Sequence, residues 1–221
     1  MIIGLLGVAG SGKDTVADIF VRDHNFVKVA FADPLKRICK DVFAFTDEQL
    51  WGPSEKRNAP DERYLRRKIE NEFLDHIGDE YLTPRFALQQ LGSEWGRNCY
   101  PNVWVDYALR VAKTLLAVGD LGAVRYTAQQ GLRPSLVEST AAGVVISDVR
   151  FQNEVDAIRA AGGMVWKLTR NVAGLGGTAG QHRSETELLG IDEKLFRIVL
   201  ENNASLEDLA VHVGIALDAV R

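Results

Sequence analysis

The stretch that most constrains this chain is "GVAGSGKDT", residues 7 to 15, which follows directly on the apolar run "IIGLLG". From Gly7 the spacing G-x-x-x-x-G-K is complete at Gly12 and Lys13. The apolar run reads as a buried strand, and Val16, Ile19 and Phe20 then recur at helical spacing until "DHN". A glycine loop between a buried strand and a helix lets successive backbone N–H groups converge on phosphate oxygens. The helix N-terminus adds partial positive charge and Lys13 a full one. Position, lysine and flanking elements together favour a phosphate loop over an ordinary glycine turn. Gly10, Ser11, Gly12, Lys13, Asp14 and Thr15 are its candidate ligands.

One residue departs from the usual loop. Asp14 stands where a Ser or Thr hydroxyl normally meets Mg²⁺. A carboxylate can serve the same hard cation, directly or through water. Thr15 keeps a hydroxyl one position later, able to meet the α-phosphate. The alternative is that Asp14 only caps the helix, whose positive end favours an acid.

The remaining pattern suits a parallel sheet. "FVKVAF" is a second strand, ending at "ADP" with Pro34 in the first turn of a helix. "GVVISDVRFQNE" reads as a buried strand, an acidic tip and a helix through Val155 and Ile158. "MVWKLTR" and "LFRIVLEN" are further strands. "SLEDLAVHVGIALDAV" is a last amphipathic helix, with Ser205 as N-cap and Asp208 as its acidic partner. Strands alternating with helices, with a glycine loop after the first, predict a doubly wound α/β fold with helices on both faces.

The middle reads as helical and polar. Residues 55 to 76 are expected to be helix, with the basic run 63 to 68 as its charged face. Leu88, Leu91 and Trp95 mark a second helical face, and Val103, Tyr107, Val111 and Leu115 a third. Residues 119 to 143 have no clean period and are expected to be a loop or irregular hairpin. "NVAGLGGTAGQHRSE" is too rich in glycine for a packed element and reads as a mobile loop.

Composition excludes several classes. The chain has 221 residues, 46% of them hydrophobic, and a formal net charge of −4. That is enough apolar residue for one sizeable core, and the acidic balance gives no support for binding a nucleic-acid polymer. No run approaches the ~20 apolar residues of a membrane span. Cys39 and Cys99 lack paired-ligand spacing and read as reduced thiols. A cytoplasmic protein is expected.

"GVAGSGKDTVAD", "FADPLK", "LGSEWGR", "SDVRFQNE", "HRSE" and "ENNASLEDL" occur in that order over nearly the whole chain. In these pieces the sequence resembles the deoxynucleoside monophosphate kinases of tailed phages, whose loop carries the same "SGKD" variant. The resemblance implies a three-layer P-loop kinase fold and transfer of the γ-phosphoryl of ATP, with Mg²⁺, to a deoxynucleoside 5′-monophosphate. It implies a place in deoxynucleotide metabolism and, for a phage protein, in the host cytoplasm. Its partners would be small-molecule nucleotides, and related enzymes are often dimers. Residues 1–221 would form a single domain. Its core would be about 1–45 and 144–221, its helical acceptor-binding region about 46–143, and its lid over ATP about 171–190.

Phosphoryl transfer asks a protein mainly to align two phosphates and neutralise charge. Asp148 begins "DVRFQNE" at the carboxyl end of a predicted strand, where ligands bind in such sheets. It is a candidate to hold Mg²⁺, with Asp14, while Arg150 is a candidate for the acceptor phosphate. Glu154 would orient Arg150 or the acceptor sugar. Arg170 and Arg183 are candidates for the ATP phosphates. Asp33, Lys36 and Arg97 are candidates for the acceptor, and Trp104 for stacking on its base. The bland alternatives are a helix cap for Asp33, a core position for Trp104, solvated helix faces for Gln89 and Gln90, and a solvated loop residue for His182. Two other functions stay open: a different small-molecule P-loop kinase, such as a dephospho-coenzyme A or phosphomevalonate kinase, and a nucleotide-binding module without turnover.

Overall fold

Five parallel strands carry the architecture, with the N-terminal strand at their centre. The computed structural model describes residues 1–71, 74–117, 124–127, 131–134, 141–171 and 190–221. With elements numbered in chain order, the sheet holds β1 (Ile2–Leu6), β2 (Phe26–Val29), β7 (Gly143–Val149), β8 (Met164–Thr169) and β9 (Ile198–Glu201). Their order across the sheet is β2-β7-β1-β8-β9, parallel throughout. All five residues of β1 are buried, as a strand covered on both faces requires. Helices α1 (Lys13–His24), α6 (Val103–Ala117), α7 (Gln152–Ala160) and α8 (Leu206–Asp218) connect or flank these strands, while α2 (Asp33–Phe43) opens a second compact unit.

The described chain divides into two compact units, one of Met1–Phe31 with Trp104–Arg221 and one of Ala32–Val103. In the first, α1 and α8 pack their apolar faces on β1 and β8. Phe20 meets Phe26 at 4.9 Å between ring centroids and Trp166 edge-on at 5.3 Å. Helix α1 stops at Asn25, which takes the left-handed conformation, φ 57°, that asparagine tolerates better than most residues. Ser205 caps α8 as expected: its Oγ accepts the Asp208 N–H at 3.1 Å and donates to the Asp208 carboxylate at 2.8 Å. Within 119–143, where a loop or irregular hairpin is expected, β5 (Val124–Thr127) and β6 (Gly131–Pro134) pair antiparallel in even register, and most of the other residues there lie outside the described ones. Among the described residues, no helix is long and apolar enough to cross a membrane.

The second unit departs from its sequence reading. Residues 55 to 76 are not a helix: α3 (Asp47–Trp51) and α4 (Ser54–Asn58) are short, and the basic run lies on β3 (Asp61–Asn71), paired antiparallel with β4 (Leu74–Leu82). The reason is cross-strand charge. Arg67 stands opposite Glu80 and Lys68 opposite Asp79, and both Arg66 and Arg67 pair with Glu80. Opposite charges facing each other stabilise a ladder that no hydrophobic alternation announces. Register shifts between Asp61 and Leu65 and again before Arg67 break the period of two as well.

The face of Leu88, Leu91 and Trp95 is also interrupted. Helix α5 (Pro84–Gln89) passes at Gln90 into a π-helical stretch that runs to Arg97. Its wider turn carries Trp95 off the face, leaving it 56% exposed, while Leu88 and Leu91 pack on the Cys39, Phe45, Leu50, Leu82 and Ala87 core. Burial there pushes the Cys39 thiol up to about 12, so it is inert at neutral pH.

Asp61 ties this unit together where the hairpin begins. The buried carboxylate accepts from Arg63 Nε at 2.8 Å, Arg63 Nη2 at 2.7 Å and Gln49 Nε2 at 3.1 Å. Gln49 is itself fixed by a reciprocal cap with Thr46. The Arg63 fork, working against burial, holds the Asp61 carboxyl down at about 2. A depressed folded-state value means the contribution is complete above the unfolded value near ~3.9 and is lost as pH falls toward 2. Thermal melts from pH 5 to pH 2 should therefore show a steeper loss of stability in the wild type than in Asp61→Asn. Parallel profiles would show that this carboxylate does not carry the acid sensitivity.

Candidate functional site

The loop after β1 is built to present backbone. Gly10 and Gly12 take φ 79° and 96°, conformations open to glycine at little cost. A Cβ at Gly7 would lie 2.6 Å from Ser11 Oγ and 2.7 Å from the Leu168 carbonyl, so the loop also packs too closely for a side chain there. Lys13, 8% exposed, bends back over the loop and donates to the Gly7 and Val8 carbonyls at 2.6 and 2.8 Å. Ser11 Oγ is buried without a hydrogen-bond partner in the structure.

Asp14 follows on the first turn of α1, and its side chain is 83% exposed. Lys28, from β2, lies 2.9 Å from the Asp14 carboxylate and 3.1 Å from Asp18 one helical turn on. Burial pulls the Lys28 ammonium down, but the two carboxylates outweigh it and the net shift is upward. Gly12 occupies the N-cap position and Asp14 lies in the first helical turn, where the positive helix end favours an acid.

The register of the sheet brings the "DVRFQNE" segment beside the loop. Leu6 of β1 pairs with Val149 of β7, so Asp148 and Arg150 flank the strand end from which Gly7 departs. Between Gly4–Leu6 and Ile146–Val149 the ladder slips by one residue on β7. Such a bulge re-aims neighbouring side chains. Asp148 Oδ1 accepts the Phe31 N–H at 2.8 Å. Glu154 is 1% exposed, and its Oε2 accepts the backbone N–H of Arg150 at 2.8 Å and of Phe151 at 3.1 Å. The carboxylate thus orients the turn that carries Arg150.

The other candidates divide by unit. Arg170 is exposed just beyond β8. Trp104 is buried on α6, which favours packing over base stacking. Asp33 and Lys36 lie on α2 and Arg97 ends the π-helical stretch, all in the second unit. Asp33 is buried in the first turn of α2, where Ala32 is the N-cap residue. Lys36 Nζ sits 5.6 Å from the centre of the Trp51 ring. Arg183, His182 and nearly all of the expected lid, 171–190, lie outside the described residues.

These residues fit a polyphosphate with a hard divalent cation. Gly10 and Gly12 hold the backbone turns that side chains would strain, Lys13 brings a buried cation, and Asp14, Thr15 and Asp148 are oxygen donors of the kind such a cation takes. Among the described residues no group of three His, Cys, Asp or Glu side chains clusters as a ready-made metal cage.

Two contacts were not foreseen from the sequence. Lys28 carries no motif, and its pairing with Asp14 exists only once β2 lies beside α1. Asn202, just after β9, donates from Nδ2 to the Ser11 carbonyl at 2.9 Å. The available signal was a polar "NN" at the carboxyl end of a parallel strand, the same end as the loop.

No family model matches the sequence. A protein of Acanthamoeba polyphaga mimivirus that carries the provisional name deoxynucleotide monophosphate kinase is 33% identical over 208 residues, covering 94% of this chain and 91% of that protein. Among solved structures, shikimate kinase from Aquifex aeolicus aligns with 99% of this chain and 97% of its own, at 11% identity and a TM-score of 0.46. Dephospho-CoA kinase from Campylobacter jejuni aligns with 99% and 96%, at 12% identity and a TM-score of 0.47. Likenesses that distant carry no residue roles.

Removing the Glu154 carboxylate leaves two backbone N–H groups without that acceptor, each costing about 1–3 kcal/mol where buried. Glu154→Ala should therefore lose about 2–4 kcal/mol in urea unfolding. Glu154→Gln keeps a neutral acceptor and should lose roughly half as much. A Glu154→Ala loss below about 0.5 kcal/mol would show that the carboxylate does not hold this turn.

Proposed function

The chain belongs to the family of the viral deoxynucleotide monophosphate kinase and is a P-loop kinase, and on that premise we propose that it phosphorylates deoxynucleoside 5′-monophosphates at the expense of ATP. The observation that carries the reading is the glycine loop with its buried Lys13 at the end of β1, flanked across the ladder by Asp148 and Arg150. It is supported further by the match to the viral relative over 94% of this chain.

In this reading an oxygen of the acceptor phosphate attacks the γ-phosphorus of ATP, the bond to the β-phosphate oxygen breaks, and ADP and the deoxynucleoside diphosphate leave. A phosphate monoester has its second pKa near ~6 and is largely dianionic at neutral pH, so the attacking oxygen needs no general base. The protein's task is alignment and charge. Loop N–H groups and Lys13 hold the donor phosphates, with Thr15 beside them and Arg170 and Arg183 as further donor contacts. Arg150, on the turn that Glu154 fixes, holds the acceptor phosphate. Asp148 and Asp14 would hold Mg²⁺, which when bound neutralises charge on the β- and γ-phosphates. The Phe31 N–H on Oδ1 fixes where the Asp148 carboxylate sits at the end of β7.

A coupled ADP-release assay with dAMP, dGMP, dCMP, dTMP and dUMP tests this, run on the wild type and Arg150→Ala. At least one nucleotide should support turnover. Loss of one charge-assisted phosphate contact, about 1.5–3 kcal/mol, should raise its KM about 10- to 100-fold in the variant, far more than the KM for ATP. Turnover with dephospho-coenzyme A and with none of the nucleotides would overturn the substrate. A rise confined to ATP would move Arg150 to the donor side.

A further inference from the structure

The side chain of Asn202 enters the glycine loop, and nothing in the scheme above uses it. Its backbone is fixed first: the Asn202 N–H donates to the Thr169 carbonyl at 2.9 Å, continuing the β8–β9 ladder. Its side chain is buried, so Nδ2 has little freedom. It donates to the Ser11 carbonyl at 2.9 Å across 191 positions of chain. Nδ2 also lies 2.1 Å from the point that a Cβ on Gly12 would occupy, so the amide rests against the open face of the Gly12 α-carbon. Its neighbour Asn203 plays the opposite part on the turn after β8, its Oδ1 accepting the Asn171 N–H at 2.9 Å.

The Ser11–Gly12 peptide joins the loop to α1. In a trans peptide the C=O and N–H point in opposite directions. A Ser11 carbonyl held on Asn202 therefore turns the Gly12 N–H away from Asn202. Glycine populates both signs of φ with similar ease, so Gly12 itself sets no barrier of the Cβ kind to a flip of this peptide. A flip would place a carbonyl oxygen where the N–H now stands and would repel a phosphate. We propose that Asn202 is a positioning residue for the phosphate loop, its amide locking the Ser11–Gly12 peptide in the orientation that offers the Gly12 N–H to the polyphosphate. The proposal rests on the phosphate-loop reading and is independent of which acceptor is used.

The test is calorimetric titration of the full chain with tripolyphosphate and with ADP, alongside the KM of the acceptor nucleotide and a thermal melt. The wild type should bind both ligands and Lys13→Ala should bind them much more weakly. Asn202→Ala should raise both Kd values about tenfold, the scale of one lost buried hydrogen bond, with the acceptor KM within about twofold. Asn202→Asp, which sets an acceptor against the Ser11 carbonyl, should weaken binding further. Asn202→Ser, with a shorter donor, carries the test if either variant fails to fold. Wild-type binding with Asn202→Ala or Asn202→Ser within twofold of it, even with a lowered melting temperature, would overturn the proposal and leave the kinase reading intact. A wild type that binds neither ligand would overturn both.

Discussion

The parallel ladder that holds β1 between β7 and β8 is the constraint on which the rest of the structure depends. β1 is buried along its whole length, and each fully buried Leu or Ile contributes about 1.5–3 kcal/mol relative to exposure. Sliding it would move the glycine loop away from Val149 and Leu168 together. Because β7 and β8 run parallel to β1, their carboxyl ends arrive at the same edge. That single fact brings Asp148, Arg150 and Arg170 to the edge where the loop begins, although they lie well over a hundred positions away.

Charge at that edge is balanced locally. The chain is acidic overall, with a formal net charge of −4, and a carboxylate beside Lys13 would weaken an anion site unless compensated. Lys28 supplies the compensation, bridging Asp14 and Asp18 from β2. Exposed ion pairs contribute little to stability, and Asp14 is mostly exposed, so the pairing matters for the local field and for where the carboxylate points. Asp14 can therefore stand next to Lys13 without leaving the loop with an unbalanced negative charge.

What was legible in the sequence was local. The glycine loop, α1 with Val16, Ile19 and Phe20 inward, the strand of "GVVISDV" and the Ser205 cap each carry their signal within a few residues. What was not legible depends on partners distant in the chain. β3 and β4 are joined by Arg67–Glu80 and Lys68–Asp79 pairs, which on their own read as a charged helix face. The π-helical stretch from Gln90 leaves no mark in hydrophobic period. Glu154 could be named from the sequence as a candidate to orient Arg150 or the acceptor sugar, but only the fold places its carboxylate on the backbone N–H groups of Arg150 and Phe151. Lys28 and Asn202 acquire meaning only when the sheet sets them beside α1 and the loop.

Transfer of a phosphoryl group between two nucleotides differs from mere binding or hydrolysis of one in where the γ-phosphate ends. ATP labelled in its γ-phosphate, incubated with the protein, Mg²⁺ and a deoxynucleoside monophosphate, decides this directly. For a nucleotide kinase the label is expected in the deoxynucleoside diphosphate, in step with ADP formed and with little free phosphate. Label released only as inorganic phosphate, or left entirely in ATP with every monophosphate supplied, would contradict it.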